Sequence, residues 1–204
     1  MNMKNCADIV KRYSLARIPF IAFNSMERAR ALEVFRSVSQ DLSLPFYVHT
    51  MSKGMSELSG SGKTVNEDKS IMGALDFIAE QMRNRQNLTF ILTEVSDIEN
   101  DSMTSRYFLD IVTMAEECGG VIIVITANSV WGPLQRLGMT VQLDLPDEEE
   151  MLQIITENIE PYRKDIKIEW DQSDFRVAAT ILAGGSTVDV QKAIASLVAS
   201  RTIR

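Results

Sequence analysis

The most strand-like stretch of the chain is Val121-Ile122-Ile123-Val124-Ile125-Thr126, an apolar, β-branched run. Such a run is typical of a strand that is buried on both faces of a sheet. Four further short runs have β character, and segments with helical periodicity separate them: 18–23, 45–50, 88–93 and 140–145. Strands that alternate with helices predict an α/β fold, in which five parallel strands form one sheet that is covered by helices.

A small helical domain is predicted to follow Pro146. Acidic residues from Asp147 to Glu150 suit the first turn of a helix, because the helix dipole favours negative charge there. Two more helices are expected at 171–182 and 187–201. The sequence therefore predicts an α/β domain at 1–146 and a helical lid at 147–204.

Composition excludes several classes of partner. The net charge is −7 and the isoelectric point is about 4.9, so the overall field repels a nucleic-acid backbone. No apolar run approaches the roughly 20 residues that a membrane span needs. Cys6 and Cys118 lack metal-ligand spacing, and two isolated thiols suit a reducing compartment. We therefore expect a cytoplasmic protein whose partners are proteins or its own subunits, with no metal site.

One motif resembles the end of a phosphate-binding loop. Gly60, Gly62, Lys63 and Thr64 match the last part of the Walker A pattern, in which glycine amides and a lysine hold phosphate at the start of a helix. However, the motif follows the second predicted strand instead of the first. The position of its first glycine is Glu57, whose carboxylate would repel phosphate. The motif is therefore a weak candidate for a nucleotide site.

The connection after the first strand is where a phosphate loop belongs in this type of sheet. The chain there reads Asn24-Ser25-Met26-Glu27, with neither glycine nor lysine. A backbone cradle needs glycines and several inward-pointing amides. We expect this turn to bind no phosphate, and we expect Asn24 or Ser25 to cap the following helix.

Two carboxylates follow the third predicted strand. Glu94 and Asp97 lie where a pair of acids could hold Mg²⁺ and polarise a water molecule. Val95 and Ser96 separate them, whereas adjacent acids are usual. Ordinary solvated loop carboxylates are the alternative interpretation.

The order of several short segments, each weak alone, resembles a known family. These segments are 17–21, 27–32, 44–48, 74–78, 106–111, 141–147 and 184–193. Together they resemble an AAA+ module, and more narrowly the degenerate amino-terminal module of AAA ATPases of the plastid and cyanobacterial "hypothetical chloroplast frame" type. The resemblance implies an ATPase fold without a working phosphate loop, ahead of a true AAA domain that would follow Arg204, in a ring-forming parent protein.

The same resemblance gives roles to the segment 51–66, which is predicted to be irregular. In hexameric AAA+ rings the corresponding segment lines the central channel. Met51, Lys53, Met55 and Leu58 would then contact a threaded polypeptide or a neighbouring subunit. A flexible solvated loop is the alternative interpretation.

Three residues after the fourth strand gain candidate roles from the resemblance. Asn128 occupies the place of a polar sensor that orients the attacking water, and a turn-forming asparagine is the alternative interpretation. Trp131 suits packing or a subunit interface. Arg136 lies where an arginine could reach a neighbouring subunit, and an ordinary surface arginine is the alternative.

The sequence supports one leading hypothesis and two competitors. The leading one is a catalytically inactive AAA+-like module, without a cofactor of its own, that acts in assembly, partner binding or regulation. The first competitor is an NTPase that binds ATP and Mg²⁺, with phosphate held by 60–64 and magnesium by Glu94 or Asp97. The second is a freestanding adaptor protein.

Overall fold

The computed structural model describes residues 1–203, without the side chain of Thr202. Contacts divide the chain into two compact units, with the boundary between Leu143 and Asp144. The boundary predicted from the sequence was residue 146. The elements of the first unit are α1 (Met3–Leu15), β1 (Phe20–Asn24), α2 (Arg28–Leu42), β2 (Phe46–Thr50), β3 (Gly54–Glu57), β4 (Thr64–Asn66), α3 (Ile71–Asn84), β5 (Thr89–Leu92), α4 (Met103–Cys118), β6 (Val121–Thr126), α5 (Gly132–Gln135) and β7 (Gly138–Gln142).

The first unit contains a seven-stranded sheet with the order β4-β3-β2-β5-β6-β1-β7. The strands β2, β5, β6, β1 and β7 pair in parallel, as the sequence predicted. The strands β3 and β4 pair antiparallel beyond β2. The prediction of an irregular segment at 51–66 is therefore wrong, because 54–57 and 64–66 extend the sheet as a hairpin.

Each parallel strand sends alternate side chains to opposite faces of the sheet. In β6, Ile122 and Val124 enter a core with residues of α3 and α4. Val121 and Ile123 enter a second core with residues of α1 and α2. Both faces are therefore buried, which explains why the central strands are continuously apolar.

The parallel strands β1, β2, β5 and β6 end at one edge of the sheet, which we call the carboxyl edge. Their last residues are Asn24, Thr50, Leu92 and Thr126. The helices α2, α3 and α4 begin near this edge, since each follows a strand that ends there. The fold thus brings strand ends and helix starts together, which is the arrangement that forms ligand sites in open α/β sheets.

The second unit begins at Asp144 and consists mainly of helices. Its elements are α6 (Glu148–Ile159), a 3-10 turn (Glu160–Tyr162), β8 (Lys167–Ile168), α7 (Gln172–Leu182), α8 (Thr187–Ala199) and β9 (Thr202–Ile203). Its core contains Met151, Ile155, Phe175 and Ile194. Asp147 caps α6 by accepting a hydrogen bond from the Glu150 amide at 2.9 Å. None of the helices within residues 1–203 is long and apolar enough to cross a membrane.

Candidate site at the carboxyl edge of the sheet

The turn between β1 and α2 consists of residues 25–27 only. The Ser25 amide donates a hydrogen bond to the Thr126 carbonyl at 3.0 Å. The Glu27 amide donates to the Ser25 hydroxyl at 3.1 Å. These two amides are satisfied within the protein, and the turn is too short to wrap a phosphate group. Glu27 is the residue at the N-cap of α2, so the prediction that Asn24 or Ser25 caps this helix is wrong.

Charged side chains surround the start of α2. The Glu27 carboxylate pairs with the Arg30 guanidinium at 3.2 Å, and these side chains are only 9% and 6% exposed. A helix amino terminus attracts negative charge because its dipole and free amides are positive there. Glu27 thus supplies negative charge at the helix end where a phosphate loop would hold a nucleotide, and Arg30 neutralises it.

A second ion pair crosses the carboxyl edge. Arg28, the first residue of α2, donates a hydrogen bond to the Glu94 carboxylate, and both side chains are about half exposed. Glu94 lies just beyond β5 and is one of the residues predicted to hold magnesium. A carboxylate paired with a guanidinium is a poorer ligand for Mg²⁺, because the cations compete for the same oxygens.

The other two predicted strand-end residues lie on exposed turns. Asp97 has a left-handed backbone with φ of 62°, and its carbonyl accepts a hydrogen bond from the Ser102 hydroxyl. The Asn128 amide donates to the Thr126 hydroxyl at 3.0 Å in a local turn. Within residues 1–203, no cluster of three or more His, Cys, Asp or Glu side chains is arranged to hold a metal ion.

A cavity of about 440 Å³ opens at this edge, and we call it the carboxyl-edge cavity. Glu94 and Asn128 both line it, whereas Asp97 does not. Met51 and Ile71 contribute apolar surface to it, and Glu99 contributes a second carboxylate. Glu99 was not among the predicted site residues. Its place in an acidic segment after a buried strand is the signal that could have identified it.

The start of α3 completes this edge. Ser70 caps the helix by accepting a hydrogen bond from the Gly73 amide at 3.0 Å. Asp68 accepts hydrogen bonds from the Ser70 hydroxyl and amide, which lower the pKa of Asp68. The buried His49 ring lies 3.0 Å from the Asp68 carbonyl through Nε2. This contact gives the His49 ring a structural role.

The Walker-like motif lies in the β3–β4 hairpin. The Glu57 amide donates to the Lys63 carbonyl at 2.9 Å, and the Leu58 amide donates to the carbonyl of Phe46, the first residue of β2. Thr64 begins a strand, so no helix dipole points at this segment. The tip of the hairpin is at the amino edge of the sheet, opposite Glu94.

That geometry separates the two halves of the predicted NTPase site. The strand β2 extends over five residues, so the two edges are about 13 Å apart at a rise of about 3.3 Å per residue. Gly60 and Gly62 have φ of 68° and 65°, which suits the tight hairpin turn. The structure therefore does not bring Lys63 together with Glu94 or Asp97.

The four residues predicted to form a channel or partner loop divide into two groups. Met51 is 58% exposed and Lys53 is also exposed. Met55 is completely buried in the core beneath α3 and α4. Leu58 is 6% exposed and belongs to the opposite core. Met55 and Leu58 are therefore core residues. The prediction that they form loop contacts is wrong, because residues 54–57 pair with β2 as a strand.

The two predicted interface residues flank α5. The partly buried Trp131 packs against the core beneath α3 and α4, and its amide donates to the Ile98 carbonyl at 2.7 Å. Arg136 follows the helix and is exposed. Trp131 thus supports the loop after β6, and a role of either residue in subunit contacts stays a prediction.

Comparison with known proteins identifies the family. Residues 6–143 match the model described as the N-terminal domain of SpoVK-like AAA ATPases. The chain belongs to this family. The predicted AAA-family amino-terminal module is confirmed, while the narrower plastid type stays a prediction. A search of curated proteins gave no significant match.

Solved structures support the AAA+ fold of this family member. Rhizobiales Trip13 is 14% identical with a TM-score of 0.60, over 93% of this chain and 69% of that one. A chain of the E. coli MS115-1 HORMA:CdnC:Trip13 complex is 11% identical with a TM-score of 0.58, over 89% and 67%. A Thermotoga maritima RuvB variant is 10% identical with a TM-score of 0.56, over 91% and 57%. At these identities the likeness concerns the fold alone.

Proposed function

We propose that this SpoVK-like amino-terminal module is non-catalytic and acts in assembly, partner binding or regulation of its parent AAA ATPase. The observation that carries the proposal is the β1–α2 turn. Two of its amides donate within the protein, and the Glu27–Arg30 pair lies at the start of α2. A triphosphate at this position would meet a nearly buried carboxylate in place of a ring of free amides.

The surroundings of Glu94 support the same proposal. Catalysis of phosphoryl transfer needs a metal, a phosphate cradle and a polarised water in one place. Here Glu94 is paired with Arg28, and Lys63 lies at the opposite edge of the sheet. The competing NTPase hypothesis would require these groups to move together by more than a side-chain rotation.

ATP and Mg²⁺ would then act in another domain of the parent chain. This arrangement agrees with the resemblance to the plastid and cyanobacterial "hypothetical chloroplast frame" type. Cys6 and Cys118 are thiols that are not joined in a disulfide, which suits a cytoplasmic location. One structural neighbour belongs to a complex with a HORMA protein, which favours protein partners for this module, including its own subunits in a ring.

The test is a calorimetric titration of the purified chain with ATP and Mg²⁺. We expect affinity weaker than about 1 mM and no release of phosphate. Micromolar binding that disappears in Asn24→Ala, Asp97→Ala or Asn128→Ala would overturn the proposal. The Lys63→Ala variant serves as the matched control, since only the competing NTPase hypothesis predicts that it changes binding.

A further inference from the structure

We propose that the carboxyl-edge cavity binds a basic amphipathic helix of a partner protein. This inference rests on the proposed non-catalytic function, because a cavity that held nucleotide would not be free for a protein segment. Three features support it: exposed methionines, unpaired carboxylates, and the absence of an open strand edge at the cavity.

Exposed methionines surround the carboxyl edge. Met26 in the β1–α2 turn is 82% exposed, and Met103 at the start of α4 is 83% exposed. Met51 after β2 is 58% exposed, and Met72 in the first turn of α3 is 39% exposed. Methionine side chains are flexible and polarizable, so they adapt to apolar side chains of different shapes. A helix with leucines along one face presents apolar side chains of this kind.

The carboxylates that line the cavity favour a basic partner. The cavity is lined by Glu94 and Glu99 and by no lysine or arginine. Arg28 pairs with Glu94. The neighbouring carboxylates of Asp97 and Glu99 have no ion pair within the part of the chain that the structure describes. A lysine or arginine at the rim would gain an opposite charge, whereas a phosphate or an acidic peptide would be repelled.

The backbone geometry favours a helix over an extended strand. The cavity is lined by side chains and turns where β5 and β6 end, and both of these strands are already paired on two sides. An extended peptide therefore finds no open strand to pair with. A helix satisfies its own backbone hydrogen bonds and can bind through side chains alone.

The probe for this inference is a synthetic helical peptide of leucine and lysine, with leucines on one face. It would be added to the whole chain with ¹³C-labelled methionine methyl groups and followed by NMR. We expect the Met51, Met72 and Met103 signals to shift, while Met151, which is buried in the second unit, stays unchanged. A leucine–glutamate peptide of the same pattern should give no shifts.

A matched pair of variants separates a specific contact from general attraction to an acidic protein. Glu99→Gln should weaken the affinity for the leucine–lysine peptide about fivefold, which is the upper range for a partly exposed ion pair. Glu116→Gln removes the same charge from an exposed position near the far end of α4 and should leave the affinity unchanged. Equal effects of the two variants would overturn the inference, as would shifts outside the carboxyl edge or binding of the acidic peptide.

The same labelled sample distinguishes failure of this inference from failure of the proposed function. If neither peptide nor ATP shifts the carboxyl-edge methionines, the helix proposal is overturned and the non-catalytic function stands. If ATP and Mg²⁺ shift these methionine signals at micromolar concentration, the non-catalytic function is overturned, together with the helix proposal that rests on it. Shifts with the basic peptide alone support both.

Discussion

The Arg30→Met variant tests whether internal charge stabilises the β1–α2 turn. Arg30 and Glu27 form an ion pair with 6% and 9% side-chain exposure. Removing one partner of a buried pair costs about 3–5 kcal/mol, because the other charge stays buried and loses the attraction of its partner. The dipole of α2 still stabilises the remaining carboxylate by about 1 kcal/mol. We therefore expect a loss of about 3 kcal/mol in unfolding free energy, or about 9 °C in Tm.

The measurement needs a probe for the first unit alone, because a protein with two units need not unfold in one step. The chain has two tryptophans, Trp131 in the first unit and Trp170 in the second. In a Trp170→Phe background, the fluorescence of Trp131 at increasing urea concentration reports the unfolding of the first unit alone. The double variant Glu27→Gln with Arg30→Met should recover part of the loss, since the buried carboxylate is then removed together with the guanidinium.

The matched control is Arg106→Met. Arg106 pairs with Asp101 at 2.7 Å, but these side chains are 70% and 52% exposed. Exposed pairs contribute about 0–1 kcal/mol, so this variant should change stability little. An unfolding free energy of Arg30→Met within about 0.5 kcal/mol of the parent protein would contradict this expectation, because the pair would then contribute no more than an average surface contact.

Three further predictions concern other parts of the first unit. The Tyr107 hydroxyl donates to the Asp76 carboxylate, and this bond, with burial, raises the pKa of Tyr107 to about 12. The stabilisation from this bond should be complete below pH 10 and be lost as the pH rises to about 12, and the difference in unfolding free energy between the parent protein and Tyr107→Phe across this pH range checks it. Gly138→Ala should lower the free energy of unfolding in urea by about 2 kcal/mol, because a Cβ would lie 1.9 Å from the Phe20 carbonyl oxygen. Lys63→Ala should leave thermal stability in ATP unchanged, measured by circular dichroism.

The central part of the fold could be predicted because burial leaves a clear pattern. The run 121–126 is apolar at nearly every position, since both faces of β6 are covered. The hairpin at the sheet edge leaves no such pattern. Its strand 64–66 is largely exposed and carries one apolar residue, Val65. The turn that contains Gly60 and Gly62, with φ of 68° and 65°, returns this strand against β3, and sequence periodicity does not report such an edge contact.

The candidate site was predictable only as far as the strand ends. Glu94 and Asn128 follow buried strands, and parallel strands bring such residues to one edge. The pairing of Glu94 with Arg28 joins residues 66 positions apart, and no local pattern indicates it. The Glu27–Arg30 pair has the spacing of neighbouring side chains on a helix, but the spacing alone does not reveal its burial.

The start of α2 has a source of negative charge within the chain. A helix amino terminus needs acceptors for its free amides and negative charge for its dipole. In this module Glu27 supplies the negative charge, and Ser25 accepts a hydrogen bond from the Glu27 amide. A ligand raises the stability of the native state only if it binds that state more tightly than the unfolded chain. The module should therefore have the same Tm with and without ATP and Mg²⁺, and a rise in Tm with ATP would show that nucleotide binds the native fold after all.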